Sequence, residues 1–165
     1  MKWLPVAVKD PSNKEAREKM SLAANLGGMA ITASGCSIGH SFAQTFGAVN
    51  HIPHGLGCAW GLPGVMVYSA KYGNRSDLEI VADALGVTYT DATDTMELAN
   101  ETAQIFVDFM RDIKIKSIKS LGYSLEDCLA VTDRFFHDGA FANSPGTPGV
   151  PEIQEFIKYT YHIYQ

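Results

Sequence analysis

Apolar residues recur along most of the chain at the spacing of an α-helix. The clearest stripe has intervals of 3, 4, 3 and 4 residues and predicts an amphipathic helix with one buried face. Its members are Met96, Ala99, Ala103, Phe106 and Met110. Asp94 and Glu97, just before and within its first turn, mark the start of this helix. A similar stripe predicts the last helix over residues 152–164.

Start and stop signals divide the rest of the chain into further helices. A Ser followed three residues later by an acidic residue is the capping-box pattern of a helix start. The pattern occurs at Ser12 with Glu15, Ser76 with Glu79, and Ser124 with Asp127. Gly35 and Gly86 stand where the helices before them are expected to end, because glycine readily adopts the left-handed conformation found there.

The stretch between Gly35 and the second of these starts predicts two more helices. One covers residues 37–47 and carries His40 and Gln44 one turn apart on the same face. The other covers residues 55–70 and contains Pro63, which is expected to kink it.

The remaining segments are predicted as connections. Loops are expected at residues 48–53, 71–75 and 143–151. Residues 113–118 alternate isoleucine with lysine as a strand would, but the run is brief and isolated, and we interpret it as a helix end and a turn. The sequence therefore predicts an all-α fold, a single bundle-like domain of about seven helices over residues 1–165.

Composition narrows the class of protein. Hydrophobic residues make up 46% and charged residues 19%, which gives ample material for a core and excludes a disordered chain. The net charge of −5 disfavours nucleic acid and anionic membranes as partners. No segment has the roughly 20 apolar residues of a membrane helix, and the first residues lack the apolar stretch of a signal peptide.

The cysteines point to a reducing compartment. Cys36, Cys58 and Cys128 are odd in number, far apart and without a CxxC pair. Neither a disulfide framework nor a zinc ribbon is therefore expected, and a cytoplasmic location is predicted.

A segment rich in Ala, Gly and Ser covers residues 16–33. Small residues allow another helix to approach closely, and the same feature could border a ligand crevice. Close helix packing is the simpler interpretation.

Three of the five histidines fall within fifteen residues. They form the one cluster of residues in this sequence that suggests a chemical site. His40 is predicted on a helix, and His54 lies at the turn into the next helix, so their rings could converge on one divalent metal ion. The spacing by itself leaves capping or core hydrogen bonding open for these residues and for His51. His137 and His162 are interpreted as incidental.

The run GHSFAQTFGAVNHIPHGLGCAWGLPGVMVYSA resembles the signature of the iron-containing alcohol dehydrogenase family. In that family a His near the end of a small-residue helix precedes a loop ending in P-H-G and then an apolar helix. The flanking runs KEAREKMSLAANLGGMAI, LGYSLED and NSPGTPGVPEIQEFIKYTY resemble other helices of the same domain. The resemblance covers nearly the whole chain.

The resemblance implies that His40 and His54 are metal ligands, with iron or zinc as the divalent ion. It further implies oxidation of a small alcohol, or reduction of an aldehyde, with NAD or NADP. Gln44 stands where many members carry a second His near the nicotinamide, so it is a candidate cofactor contact that cannot relay protons near neutrality. His51, three residues before His54, is expected near the mouth of the site and is a second candidate contact for the cofactor or substrate, with a loop residue of no such role as the alternative.

Two parts of the family pattern have no counterpart among these residues. The family's remaining Asp and His ligands precede the signature, and its Gly-rich nucleotide-binding domain does so too. The chain thus resembles the C-terminal helical half alone, and we expect this polypeptide by itself to be catalytically incomplete, with NAD(P) bound only by the other domain.

Two alternative functions place the chain in other classes of protein. One is a non-catalytic helical oligomerisation module or truncated gene product. An exposed apolar face around Gly27, Ile31, Gly57 and Trp60 would then favour a homo-oligomer. The other is a distinct metal-binding protein that uses His40, His51 and His54 together.

Overall fold

The computed structural model describes residues 1–165, and all its regular elements are helices. The eight α-helices are α1 (Trp3–Lys9), α2 (Lys14–Ser34), α3 (Ile38–Asn50), α4 (His54–Tyr72), α5 (Arg75–Leu85), α6 (Thr95–Asp112), α7 (Leu125–Leu129) and α8 (Val150–Ile163). Three short 3₁₀ helices cover Lys119–Leu121, Thr132–His137 and Phe141–Asn143. The all-α prediction is confirmed. Helix α1, which has no side-chain cap, was not predicted.

The best-marked helix termini lie where the sequence places them. The Asp94 carboxylate accepts hydrogen bonds from the backbone N–H groups of Met96 and Glu97 at the start of α6. Ser124 and Asp127 form the expected capping box of α7. Gly86 ends α5 with a φ of 77°, in the left-handed region.

Two predicted starts are shifted. Asn13, not Ser12, caps α2, because the Ser12 hydroxyl donates to Asp10 while the Asn13 side chain accepts from the Ala16 N–H. Helix α5 begins at Arg75, one residue before the Ser76 expected to cap it.

The helix predicted to start at Ser124 is also much shorter than expected. It ends at Leu129, whose carbonyl accepts a hydrogen bond from the Thr132 hydroxyl, and the chain continues as 3₁₀ helix. Phe135 on this segment is buried, whereas its neighbour Phe136 is 47% exposed.

Two hydrophobic cores lie within residues 38–164. The larger combines aromatic and aliphatic side chains of α3, α4, α6 and α8 with the 3₁₀ segment after α7; it includes Ile38, Phe42, Phe46, Trp60, Val107, Phe135, Ile153 and Phe156. The smaller joins α4, α5 and α6 through Met66, Leu78, Ala82, Leu98, Ala99 and Ala103. None of the helices has the length and apolarity needed to cross a membrane.

Helices α1 and α2 form a hairpin outside both cores. Ala7 and Ala16 are buried in this hairpin. From Ser21 onward every residue of α2 is exposed, including Leu22, Leu26 and Met29. Residues 21–33 of the small-residue segment are therefore not buried by another helix of this chain, contrary to the close packing expected for the segment.

Helices α3 and α4 approach each other backbone to backbone. A Cβ added to Gly61 would lie 2.9 Å from the Gly39 carbonyl oxygen, and one added to Gly57 would lie 2.9 Å from the Cα of Ala43. Glycine at these positions allows the contact, because any side chain there would push the helices apart. The N-terminal half of α4 is thereby held against α3.

The prediction of an exposed apolar face around Gly27, Ile31, Gly57 and Trp60 is therefore wrong for two of these four residues. Gly27 and Ile31 are exposed on α2. Gly57 and Trp60 are buried because α3 covers this face of α4, and the Trp60 side chain is only 1% exposed.

Candidate metal centre

His40 and His54 lie next to each other across the contact between α3 and α4. His40 is in the first turn of α3, which Ser37 precedes, and His54 is the first residue of α4, after Pro53. Their Nε2 atoms are 2.9 Å apart, and the ring centroids are 4.5 Å apart. His40 is half-buried and His54 is exposed.

Cys58 is the third member of this group, and sequence reasoning missed it. It lies one turn after His54 on the same face of α4. Its Sγ atom is 3.5 Å from the His40 Nδ1 and 3.5 Å from the His54 Nε2. The available signal was the four-residue spacing between His54 and Cys58, which places both side chains on one face of a helix.

The donor set fits a divalent transition metal. One ligand atom from each of the three residues lies within 4.8 Å of the others. Around a tetrahedral ion with metal–nitrogen bonds near 2.0 Å and metal–sulfur bonds near 2.3 Å, ligand atoms are roughly 3.3–3.6 Å apart. The observed spacings of 2.9 and 3.5 Å lie close to that range.

Partial burial shifts the pKa values of His40 and Cys58. Burial lowers the pKa of His40, and the neighbouring His54 lowers it further, whereas Asp138 acts in the opposite direction. The neutral imidazole favoured by this environment is the form that binds metals. Burial, together with the nearby Cys36, raises the pKa of the Cys58 thiol.

An open cleft lies beside the three residues. It has a volume of ≈ 390 Å³ and is lined by His40 and Cys58 together with Ile31, Cys36, Ala59 and Leu62. Its size is within the range of small-molecule sites. The mostly apolar lining suits a small, weakly polar organic molecule.

Gln44 faces Asp138, a residue that sequence reasoning did not single out. With its amide nitrogen turned to the carboxylate, Gln44 donates to the Asp138 Oδ1 at 3.0 Å. The Ser41 hydroxyl donates to the same oxygen at 2.7 Å, and the Ala140 N–H at 3.0 Å. Asp138 thereby ties the 3₁₀ segment to α3 one turn from His40.

The other histidines lie apart from the three-residue group. His51 ends α3 in the left-handed conformation, with a φ of 54°, and is exposed. The structure does not bring it together with His40 and His54, as the distinct His40–His51–His54 site would require. His137 lines a separate cleft that also contains Gln44, and His162 contacts Gln165 near the C-terminal end.

Comparisons with known proteins agree on one family. The sequence profile described as "Fe-containing alcohol dehydrogenase family, C-terminal" matches residues 1–161. The chain is 32% identical over 131 residues to an NADPH-dependent butanol dehydrogenase of Clostridium saccharobutylicum, covering 79% of this chain and 30% of that protein. It is 28% identical over 151 residues to a 1,3-propanediol dehydrogenase of Citrobacter freundii, covering 91% of this chain and 38% of that protein.

Solved structures agree with the sequence comparison. An alcohol dehydrogenase from Oenococcus oeni superimposes with a TM-score of 0.84 at 26% identity, covering 95% of this chain and 41% of that one. A 1,3-propanediol oxidoreductase gives a TM-score of 0.79 at 25% identity, with the same coverage. The chain thus spans between 30% and 41% of the length of these relatives.

Proposed function

Because this chain belongs to the Fe-containing alcohol dehydrogenase family, in its C-terminal domain, we propose that it supplies metal ligands to an enzyme that interconverts small alcohols and aldehydes. The observation that carries this proposal is the 2.9 Å approach of the His40 and His54 Nε2 atoms beside the cleft. The comparisons do not favour the alternative of a non-catalytic helical module.

In this proposal the residues of α3 and α4 hold and orient the reacting groups. A divalent metal, iron in the first instance and zinc as the other candidate, would supply Lewis acidity to the alcohol oxygen. His40 and His54 would bind it through ring nitrogens, from two helices held together by their glycine contacts. The apolar lining from Ile31, Ala59 and Leu62 accommodates the carbon chain of the substrate and limits water near it.

The redox partner and cellular setting are part of the same proposal. NAD or NADP would be the redox partner, bound mainly by another domain, with Gln44 and His51 as contacts from this side.

A cytoplasmic location is supported by three free cysteines, Cys36, Cys58 and Cys128, which a reducing compartment would preserve.

A chimeric enzyme tests the proposed function. This chain is substituted for the matching segment of the Clostridium saccharobutylicum butanol dehydrogenase, and NADPH-dependent reduction of butanal is measured with and without added Fe²⁺ or Zn²⁺. We expect turnover that depends on the metal and is lost after chelation. A chimera that is folded and binds NADPH, yet reduces no butanal at any metal concentration, contradicts the proposal.

Self-association is a further part of the proposal. Leu22, Leu26 and Met29 lie on α2 with 55%, 56% and 63% of their surface exposed. Burying such side chains is favourable by about 25 cal/mol per Å² of apolar surface, so two copies gain by covering them. We expect sedimentation velocity to give a dimer or larger species, shifted toward monomer by Leu26→Lys. A monomer at high concentration argues against it.

A further inference from the structure

We propose that Cys58 is a third metal ligand, so that His40, His54 and Cys58 form a His₂Cys site within this chain. The inference rests on the proposed function for the role of the two histidines. It adds a thiolate sulfur to His40 and His54, the two metal ligands that the sequence resemblance implies within this chain.

The geometry carries the assignment. The Cys58 Sγ is 3.5 Å from the nearest nitrogen of each ring, and the two rings approach to 2.9 Å. His40 faces Cys58 with Nδ1 and His54 with Nε2, so one ion takes one of these two His40 nitrogens, and one donor atom of each residue lies within 4.8 Å of the others. The 3.5 Å between the Cys58 Sγ and the His54 Nε2 is the spacing expected for sulfur and nitrogen ligands of one tetrahedral ion. His54 and Cys58 are separated by one helical turn, so α4 holds both donors in fixed relation.

Binding of a metal ion by Cys58 requires no oxidant or reductant. As the sulfur–metal bond forms, the S–H bond breaks and its proton passes to the solvent, and neither the sulfur nor the metal changes oxidation state. Within this chain, three protein donors would leave one position of a tetrahedral ion for a further ligand. Thiolate also shifts the preference of the site toward softer ions such as Zn²⁺.

Cys36 provides the matched control. It is a free, half-buried cysteine that lines the same cleft, but it lies outside the three-residue donor group. A general effect of removing a thiol from the cleft would appear in Cys36→Ser as well as in Cys58→Ser. An effect of losing a ligand would appear in Cys58→Ser alone.

The test is titration of the purified, reduced chain with Co²⁺, followed by Zn²⁺ competition. We expect the wild-type chain and Cys36→Ser to show the near-ultraviolet charge-transfer band of thiolate bound to cobalt. Cys58→Ser is expected to lack the band and to bind Zn²⁺ at least about tenfold more weakly. Circular dichroism checks that each variant retains its helices.

The outcomes separate this inference from the proposed function. Cobalt bound without the thiolate band, or a band that survives in Cys58→Ser, overturns the role of Cys58 while leaving the histidine pair in place. A band lost in Cys36→Ser instead assigns the sulfur to the other cysteine and also overturns it. A wild-type chain that binds neither ion overturns the His₂Cys site, whereas the proposed function is tested separately by the chimeric enzyme, which contains the rest of the dehydrogenase.

Discussion

Replacing His40 and His54 together by alanine is expected to abolish metal binding by the chain. Four-ligand zinc sites are worth about 10–16 kcal/mol, or roughly 3 kcal/mol per ligand. Loss of two ligands is therefore expected to weaken binding by about 5–8 kcal/mol. The affinity that remains for Zn²⁺ is then too weak to be measured by calorimetric titration. The same double variant is expected to reduce the chimeric enzyme to background turnover.

The control for this prediction is a second double variant, His137→Ala with His162→Ala. Both histidines are exposed and lie outside the donor group, so their removal should leave the affinity for Zn²⁺ within about twofold of the wild-type value. If the two double variants bind Zn²⁺ equally well, α3 and α4 do not hold the ion through these rings.

Replacing Trp60 by alanine is expected to destabilise the fold by about 3–5 kcal/mol. The indole is 1% exposed in the larger core, packs edge to face against Phe46, and donates to the Lys116 carbonyl at 2.8 Å. The substitution removes this apolar contact, opens a cavity between α3 and α4, and leaves the Lys116 carbonyl without this donor. Urea unfolding followed by circular dichroism measures the loss.

Trp3 is the matched comparison, since the chain contains two tryptophans. It lies on α1, outside both cores and only half-buried. Trp3→Ala is expected to cost less than about 1 kcal/mol. Equal destabilisation by the two substitutions would mean that the region around Trp60 contributes no more to stability than the α1–α2 hairpin.

The sequence predicts helices well where local signals agree. Helix α6 has an apolar stripe, an Asp94 cap and a charged outer face, and it was located within a residue of its observed start. The errors fall where local signals compete. Ser12 bonds Asp10 instead of capping α2, and Thr132 ends α7 by bonding the Leu129 carbonyl.

Predicting the residues of the candidate site from the sequence required more than local signals. His40 and His54 stood out because of their family-like spacing. Cys58 did not stand out, because its proximity to His40 depends on how α4 is rotated against α3. That rotation is set by the contacts of Gly57 and Gly61 with Ala43 and Gly39, which join residues about 14–22 positions apart in the sequence. The burial of Trp60 depends on the same packing, so it was missed for the same reason.

Because the α1–α2 hairpin lies outside both cores, we expect it to unfold separately from the rest of the domain. Helical hairpins of this length gain little stability from their own hydrogen bonds, and few buried side chains support this one. Sub-global opening of residues 3–34 therefore costs far less than global unfolding, and their backbone amides are the first to exchange with deuterated solvent. Since Ile31 borders the cleft, each opening event also removes one wall from the space beside His40.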